Sequence, residues 1–410
     1  KKDKDKYISY WFDNKSWALK IAKRKLNEWE KHSSRLKFEL VGVASKIARK
    51  FIKHKIWLVG ENFGEVAQDN GFAFFEHCMK TKKKEKIFYV SRKTNVNFEN
   101  LAPFKENVLI YNGWKHMFYY HLADLLIFSH GIRDVIPDVI HNKISMNPKR
   151  IVHLQHGITA MKKVHYSHKS YNGKIVKFIA TSDQEKRILI NGMGFKSNQV
   201  CVTGFARFDK LVDRSAERLK KEILIMPTWR DWAINTKEDF LKSNFYIYYS
   251  SLLRNTRLLS LLEKYDLLLK FYPHIEIQKK YIGYFKSHHE RIVVVDVKKE
   301  SVQDLIQTSQ LMITDYSSVA FDFNYLKKPV LFYHFDLNEY LEQRGSFIDL
   351  REQLIGPAAY NEDDLIDCLE SLIRNDFAYG SKYQEMSKKY YKFNDRNNSE
   401  RIYREIKNIR

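Results

Sequence analysis

From residue 56 onward, short apolar runs alternate with longer stretches of helical periodicity. A first series of runs, rich in β-branched and aromatic residues, covers 56–60, 86–91, 108–111, 125–130, 151–156, 178–182 and 200–204. A second series covers 223–229, 267–274, 292–296, 311–317 and 329–335. Strands that alternate with helices are typical of parallel sheets. The pattern therefore predicts an α/β protein with two such sheets in tandem.

The first 55 residues follow a different pattern, dense in Lys and Arg with apolar residues at helical spacing. The apolar positions are Trp17, Ile21 and Leu26, and then Phe38, Val41, Ala44, Ile47 and Phe51. This spacing predicts two amphipathic basic helices. Their apolar stripes would either pack on the main body or lie in an anionic membrane interface, and the sequence favours neither.

These changes of pattern divide the chain into four parts. A basic helical segment covers 1–55, a first Rossmann-like domain 56–218, a second Rossmann-like domain 219–375, and a helical tail 376–410. The tail is expected to be able to cross back to the first domain. A length of 410 residues agrees with two domains, because one hydrophobic core seldom serves so long a chain.

The formal net charge is +22, which favours polyanionic partners. Nucleic acid, an anionic membrane, nucleotide donors and polyphosphate products all satisfy it, and a lysine-rich solubilising surface is an alternative of equal weight. The three cysteines are far apart in sequence, which argues against a zinc site or a disulfide framework. No apolar run reaches the ~18 residues that span a bilayer, and no signal peptide is visible. The chain opens at Lys1 without methionine, as expected of a segment of a longer protein.

Ligands of open parallel sheets bind beyond the carboxyl ends of the strands, where this sequence is polar. Residues 60–64 lack the Gly-x-Gly-x-x-Gly and Walker patterns, so a dinucleotide or ATP site is not predicted. No acidic cluster resembles a metal ligand set. We expect no cofactor, and Mg²⁺ is compatible with the sequence without being required by it.

The segment Thr314–Ser318 joins a strand to a helix and carries hydroxyls suited to an anion, although plain capping of the helix by Ser317 or Ser318 is an equal alternative. Arg230 offers a planar fork for phosphate, or a salt bridge to Asp231 or Asp239.

Two histidines follow strands of different domains. His156 precedes a glycine and is followed by Lys162, which suits a base beside phosphates. His274 ends a strand of the second domain. A lone histidine is more often structural, but two at strand ends predict a site. His130 also precedes a glycine at a strand end.

Over roughly residues 55–380 these motifs resemble the CDP-glycerol glycerophosphotransferase family, which includes the teichoic acid polymerases and their capsule relatives. The markers are Asp69-Asn70, 155–159 with Lys162, Gly204 with Arg207 and Asp209, 227–231, Pro273-His274, and 314–318 with Phe321-Asp322. The family pattern Trp-His-Gly-Thr-Pro reads Gln-His-Gly-Ile-Thr here, Ala206 replaces a proline, and Ile275 follows His274 in place of another proline.

The resemblance implies a GT-B-like architecture of two facing Rossmann-like domains, the first on the acceptor side and the second holding the nucleotide donor. It implies transfer of a phosphopolyol from CDP-glycerol or CDP-ribitol to the terminal hydroxyl of a lipid-linked or polymeric acceptor, with release of CMP. Such an enzyme works in synthesis of wall teichoic acid or a similar polymer. The basic amphipathic helices of 1–55, with no spanning run, predict a peripheral protein on the anionic cytoplasmic face of the cell membrane.

By resemblance, His156 is the general base and His274 assists at the donor. The donor phosphates and nucleotide are assigned to Arg230, Thr314, Ser317, Ser318 and Asp322. Contacts to the acceptor, or attraction of its phosphate, are assigned to Asn62, Asp69, Asn70, Lys162, His130 and Arg207.

Three rival functions remain open at this stage. A nucleotide-sugar glycosyltransferase would use the same scaffold, because fold does not fix the transferred group. A nucleic-acid-binding protein would explain the charge, but no helix-turn-helix, zinc or RNP-like signature accompanies it. An idle membrane scaffold would have no need of His156, His274 and 314–318.

Overall fold

The computed structural model describes residues 6–13, 18–141, 148–164, 166–232, 236–285, 289–296 and 299–409, and only the backbone of 6–20, 22 and 24. The chain divides into two compact units. The first comprises residues 1–154 and 169–176, and the second comprises residues 155–168 and 177–410.

The N-terminal segment begins with a hairpin. Strands β1 (Lys6–Asp13) and β2 (Ala18–Lys25) pair in antiparallel register and are followed by helix α1 (His32–Arg49). The second predicted basic helix is confirmed, whereas the first is wrong over these strands, and Trp17 lies outside the described residues. The sequence KYISYWFD is dense in aromatic residues, which favour strands.

The first parallel sheet has the strand order β5-β4-β3-β6-β7-β8-β9. Its strands are β3 (Ile56–Gly60), β4 (Lys86–Ser91), β5 (Val108–Ile110), β6 (Leu125–Phe128), β7 (Arg150–His153), β8 (Ile175–Ala180) and β9 (Val200–Val202). All of β3 is buried, as expected for a parallel strand covered on both faces. The order reverses between β3 and β6, which makes the loops after these strands the switch point of this sheet.

The second parallel sheet has the order β12-β11-β10-β13-β14-β15. Its strands are β10 (Glu222–Met226), β11 (Leu268–Phe271), β12 (Ile292–Val294), β13 (Leu311–Thr314), β14 (Val330–Tyr333) and β15 (Ala358–Ala359). The switch point lies between β10 and β13. Every strand predicted from the apolar runs is confirmed in type, and the predicted fold class of two Rossmann-like parallel sheets is confirmed as well.

Helices connect the strands. In the first unit they are α2 (Asn70–Lys80) and α3 (Trp114–Leu122). In the second unit they are α4 (Asp183–Met193), α5 (Lys237–Lys242), α6 (Asn244–Leu252), α7 (Thr256–Lys264), α8 (Ile275–Tyr281), α9 (Val302–Thr308), α10 (Val319–Tyr325), α11 (Leu337–Gln343), α12 (Glu362–Arg374), α13 (Ser381–Ser387) and α14 (Asn398–Ile406).

The C-terminal tail returns to the segment that follows β9. The Asp209 carboxylate accepts hydrogen bonds from the backbone N–H groups of Asn398 and Ser399, both at 2.8 Å, at the start of α14. Carboxylates are favourable at helix N-termini because free N–H groups and the helix dipole converge there. The predicted boundary at 218/219 falls between β9 and β10.

A buried ion cluster joins the loops after three strands of the second sheet. The guanidinium of Arg230 contacts Asp315 Oδ2 at 2.9 Å and Asp336 Oδ2 at 2.8 Å, and it donates to the carbonyl of Thr228 at 2.8 Å. Burial alone would lower the pKa of Arg230, but the two carboxylates outweigh it and raise the pKa above its ordinary value. Asp315 also accepts the Thr228 N–H at 2.9 Å, so one cluster fixes the loop after β10, the turn after β13 and the segment after β14.

We predict that Arg230→Met lowers the free energy of unfolding by about 3–5 kcal/mol, because it leaves two buried carboxylates without a counter-ion. Arg257→Met is the control, since Arg257 pairs with Asp363 and Asp367 at the surface, and it should change stability little. Urea denaturation followed by circular dichroism measures both. Equal effects of the two substitutions would contradict the structural role of Arg230.

Candidate active site

The loop that carries His156 closely approaches the turn Thr314–Ser318 after β13, which we call the hydroxyl turn. A Cβ atom built on Gly157 would lie 2.3 Å from Ser318 Oγ, a distance that no side chain tolerates. Only glycine allows this approach. His156 itself is exposed. The structure therefore brings the residue after His156 against Ser318 at the switch point of the second sheet.

Hydrogen bonds attach residues 160–163 of this loop to residues 340–347 of the same unit. Lys163 N–H donates to the Gly345 carbonyl at 3.1 Å, and Phe347 N–H donates to the Ala160 carbonyl at 2.9 Å. The Tyr340 hydroxyl donates to the Met161 carbonyl at 3.2 Å. His156 thus packs with the second sheet, whereas the boundaries predicted from the sequence place it with 56–218.

His274 lies in the same unit, at the end of β11 and the start of α8. Its Nδ1 accepts the Glu276 N–H at 3.3 Å, and its ring lies parallel to Trp229 with centroids 6.5 Å apart. Burial lowers the pKa of His274, with Glu276 opposing the shift and Lys162 adding to it. His274 is therefore neutral near pH 7 and carries its proton on Nε2, where it can donate to an oxygen.

Several residues assigned to the donor are held by partners inside the protein. Thr314 is fully buried and its hydroxyl donates to the Met226 carbonyl at 2.6 Å. Arg230 is 2% exposed and engaged in the ion cluster. Thr314 and Arg230 were expected to bind the donor directly, but in the structure both bond groups of the protein itself. They support the turn that holds Ser317 and Ser318.

Arg207 and Asp322 pair with each other. The guanidinium donates to the carboxylate through two bonds, of 2.8 and 2.7 Å, and both side chains are largely buried. The pair joins the segment after β9 to α10. Asp322 is thus committed to Arg207 and not open to a ribose, and Arg207 does not stand open to a phosphate.

The alternative prediction, that Ser317 or Ser318 caps α10, is partly confirmed. Ser317 Oγ accepts the Val319 N–H at 3.3 Å, while Ser318 makes no side-chain cap bond to α10. The Oγ1 of Thr228, across the switch point, is buried without a hydrogen-bond partner. A buried hydroxyl without a partner is uncommon, so Thr228 is a further candidate to meet a ligand oxygen.

The sequence did not reveal the residues that support this turn. Asp315 stands inside the motif without a sequence feature that indicates its role, and Asp336 follows β14 without any local signal. His334 Nε2 lies 3.0 Å from the Asp315 carbonyl, its ring stacks on Tyr316, and burial lowers its pKa to about 4. It is therefore a neutral structural histidine.

The first unit gathers a second polar group at its own switch point. Asn62 N–H donates to His130 Nδ1 at 3.2 Å, and His130 Nε2 lies 3.7 Å from Asp69 Oδ2. Asp69 also accepts the Asn70 N–H at 2.7 Å as the N-cap of α2. The four residues predicted here, Asn62, Asp69, Asn70 and His130, are therefore neighbours, and Lys162 and Arg207 belong to the other unit.

This group rests on an unusual backbone. Asn62, Phe63 and Gly64 have successive φ values of 40°, 56° and 74°, a left-handed stretch that is found mostly at functional sites. The adjacent carboxyl of Glu61 is fully buried, and burial together with Asp69 raises its pKa to about 8 against three opposing N–H bonds.

Within the part of the chain that the structure describes, no three His, Cys, Asp or Glu side chains are grouped as metal ligands, and no helix has the length and apolar composition to cross a membrane.

Comparison with known proteins places these features in a family. Residues 44–408 match the model of the CDP-glycerol:poly(glycerophosphate) glycerophosphotransferase family. The minor teichoic acid biosynthesis protein GgaB of Bacillus subtilis is 26% identical over 370 residues, which are 87% of this chain and 40% of GgaB. The teichoic acid glycerol-phosphate primase of the same species is 29% identical over 63% of each chain. This chain thus spans less than two thirds of the length of these relatives.

The fold resembles that of the wall teichoic acid polymerase TagF, with a TM-score of 0.64 at 18% identity over 89% of this chain and 91% of that one. The family model covers most of the sequence, including every motif on which the resemblance was drawn. The chain therefore belongs to the CDP-glycerol:poly(glycerophosphate) glycerophosphotransferase family.

Proposed function

We propose that this chain transfers glycerol phosphate, or a related phosphopolyol, from a CDP-linked donor to the terminal hydroxyl of a lipid-linked or polymeric acceptor and releases CMP. The product would be wall teichoic acid or a similar surface polymer. The observation that carries the proposal is the approach of Gly157 to Ser318, which sets an exposed histidine beside a hydroxyl turn at a switch point. Family membership supports the choice of donor.

In the proposed reaction His156 takes the proton of the acceptor hydroxyl as that oxygen attacks the phosphorus of the phosphopolyol. The bond between this phosphorus and the oxygen shared with CMP breaks, and CMP leaves. His274 donates a hydrogen bond through Nε2–H to the leaving phosphate of CMP. Together with Ser317 and Ser318 it stabilises the negative charge that grows there. These steps use side chains alone.

CDP-glycerol is the proposed donor, and CDP-ribitol is the alternative. Relatives include the teichoic acid ribitol-phosphate polymerase TarK of Staphylococcus aureus, 24% identical over 77% of this chain and 63% of TarK. A nucleotide-sugar transferase remains the rival on the same fold.

We predict that the purified protein releases CMP from CDP-glycerol or CDP-ribitol only when an acceptor with a terminal polyol phosphate is present. Incubation with both donors and a panel of UDP-sugars, scored by CMP and UDP release, measures this. Faster turnover of a UDP-sugar would show that the chain is a glycosyltransferase.

The two histidines should differ in their effect on donor affinity. We predict that His156→Ala lowers turnover by ~10²–10⁴-fold and leaves affinity for CDP-glycerol nearly intact, because it removes the base alone. His274→Ala should lower turnover by about 10²–10³-fold and also lower the affinity for CDP-glycerol, because it removes a hydrogen bond to phosphate.

Calorimetric titration of CDP-glycerol beside CMP-release rates separates the two roles, with His54→Ala as a control for loss of an exposed histidine. If His156→Ala keeps more than about a tenth of the turnover, His156 is not the base and His130 becomes the next candidate.

We further propose that the protein is peripheral at the cytoplasmic face of the membrane through α1. Four apolar residues on one face of this helix, Leu36, Leu40, Val43 and Ile47, are each more than half exposed, and Phe51 beyond its end is 80% exposed. Exposed Lys46 and Lys50 lie on the same helical segment. An apolar stripe beside cations suits an anionic lipid surface.

We predict that the double substitution Leu40→Ser and Ile47→Ser abolishes most sedimentation with vesicles of anionic lipid, because it removes the centre of the stripe. Val96→Ser, at an even more exposed apolar residue outside α1, should have no effect. Binding of the unaltered protein should weaken with salt, since exposed charges are screened over about 10 Å at 0.1 M. Equal sedimentation with neutral and anionic vesicles would contradict the proposal.

A further inference from the structure

The residue before His156 has a strained backbone. Gln155 is buried and has a φ of 60°, in the left-handed region that a residue with a side chain seldom occupies. Such a conformation persists only when the surroundings fix it. The side chain of Gln155 shows what fixes it here.

Hydrogen bonds hold the Gln155 amide on both sides. Its Nε2 donates to the Ile179 carbonyl at 2.6 Å and to Glu185 Oε1 at 3.0 Å. Its Oε1 accepts the Thr159 hydroxyl at 2.8 Å. Thr159 N–H donates to the same Glu185 Oε1 at 2.7 Å. One carboxylate oxygen thus receives a bond from each end of the loop 155–159, and His156 lies between them.

Glu185 is itself held by several hydrogen bonds. It is buried in the first turn of α4, its N–H donates to Ser182 Oγ, and its second oxygen accepts the N–H and the hydroxyl of Thr181 at 2.7 and 3.0 Å. Burial raises the pKa of Glu185, and bonds from Thr159, Thr181 and Gln155 oppose the shift. The four groups that bond the Glu185 carboxylate are all donors, which is the pattern that an ionised carboxylate accepts.

We propose that Glu185 is a positioning residue for His156: it fixes Gln155 and Thr159, and through them the orientation of the imidazole. The proposal rests on the function given above, in which His156 is the base. A base must stand in hydrogen-bond reach of the proton it takes, so a displaced loop costs turnover although the donor still binds. Ser182 caps α4 by accepting the Glu185 N–H, but the Glu185 carboxylate bonds Thr159 and Thr181 and does not return to the Ser182 N–H as it would in a capping box.

The test compares Glu185→Gln and Thr159→Val with Thr308→Val. Glutamine at 185 would direct an amide N–H₂ group at hydrogen-bond donors, and valine at 159 removes only the hydroxyl that holds Gln155. Thr308 is also buried, and its hydroxyl bonds the Asp304 carbonyl within α9 and, more weakly, Glu222 Oε2, both remote from His156 in the sequence. Its valine variant therefore reports the general cost of losing a buried hydroxyl.

We expect Glu185→Gln to lower CMP-release turnover by roughly 10²-fold with unchanged calorimetric affinity for CDP-glycerol. Thr159→Val should show a smaller fall of the same kind, and Thr308→Val should change melting temperature alone. Full turnover in Glu185→Gln, or equal turnover in the two valine variants, would overturn the proposal. If Glu185→Gln does not fold, the two valine variants decide.

A second readout does not depend on activity. The imidazole resonances of His156, assigned by their loss in His156→Ala, should form one set in the unaltered protein and in Thr308→Val, and shift or multiply in Thr159→Val. Unchanged resonances in Thr159→Val would refute the positioning role. Absence of CMP release from the unaltered protein would instead refute the proposed function and leave this measurement valid.

Discussion

The placement of Arg230 between Asp315 and Asp336 is the interaction on which the second unit depends. A single buried cation must be neutralised, and it is neutralised by carboxylates that follow two different strands. Ser317 follows Asp315 by two residues, and the Thr228 N–H donates to the Asp315 carboxylate. The buried ion cluster therefore fixes the position of both loops at the switch point.

The His156 loop is held against that surface by two separate constraints. One is steric, since Gly157 alone permits the close approach to Ser318. The other is the set of hydrogen bonds that Gln155 and Thr159 donate to Glu185 in the first turn of α4. A strained residue between two anchors is a costly arrangement, and such arrangements are found where geometry matters more than stability.

The sequence predicted the sheets well because buried parallel strands leave continuous apolar runs, as in Ile56–Gly60 and Leu311–Thr314. It predicted which polar residues gather at the strand ends, because the carboxyl ends of parallel strands meet at one edge of a sheet. It misjudged Arg230 because a guanidinium suits a phosphate and a carboxylate equally, and its partner Asp336 lies 106 residues away. It misjudged Ala18–Lys25, where Ile21 fitted an apolar spacing typical of a helix, because the antiparallel pairing of this strand with Lys6–Asp13 is not visible in the local spacing. Neither the exposure of the α1 stripe nor the role of Glu185 is a local property of the chain.

The spacing at Gly157 also limits how this protein can evolve or be engineered. Any substitution there adds at least one carbon that would meet both Ser318 Oγ and Ser318 Cβ, the latter at 2.9 Å. Replacing Ser318 by alanine would leave that second clash in place, so only glycine at 318 would relieve it, and glycine removes the hydroxyl. The constraint is therefore one-sided: with serine or alanine at 318 only glycine fits at 157, whereas a change at 318 meets no such clash as long as 157 stays glycine.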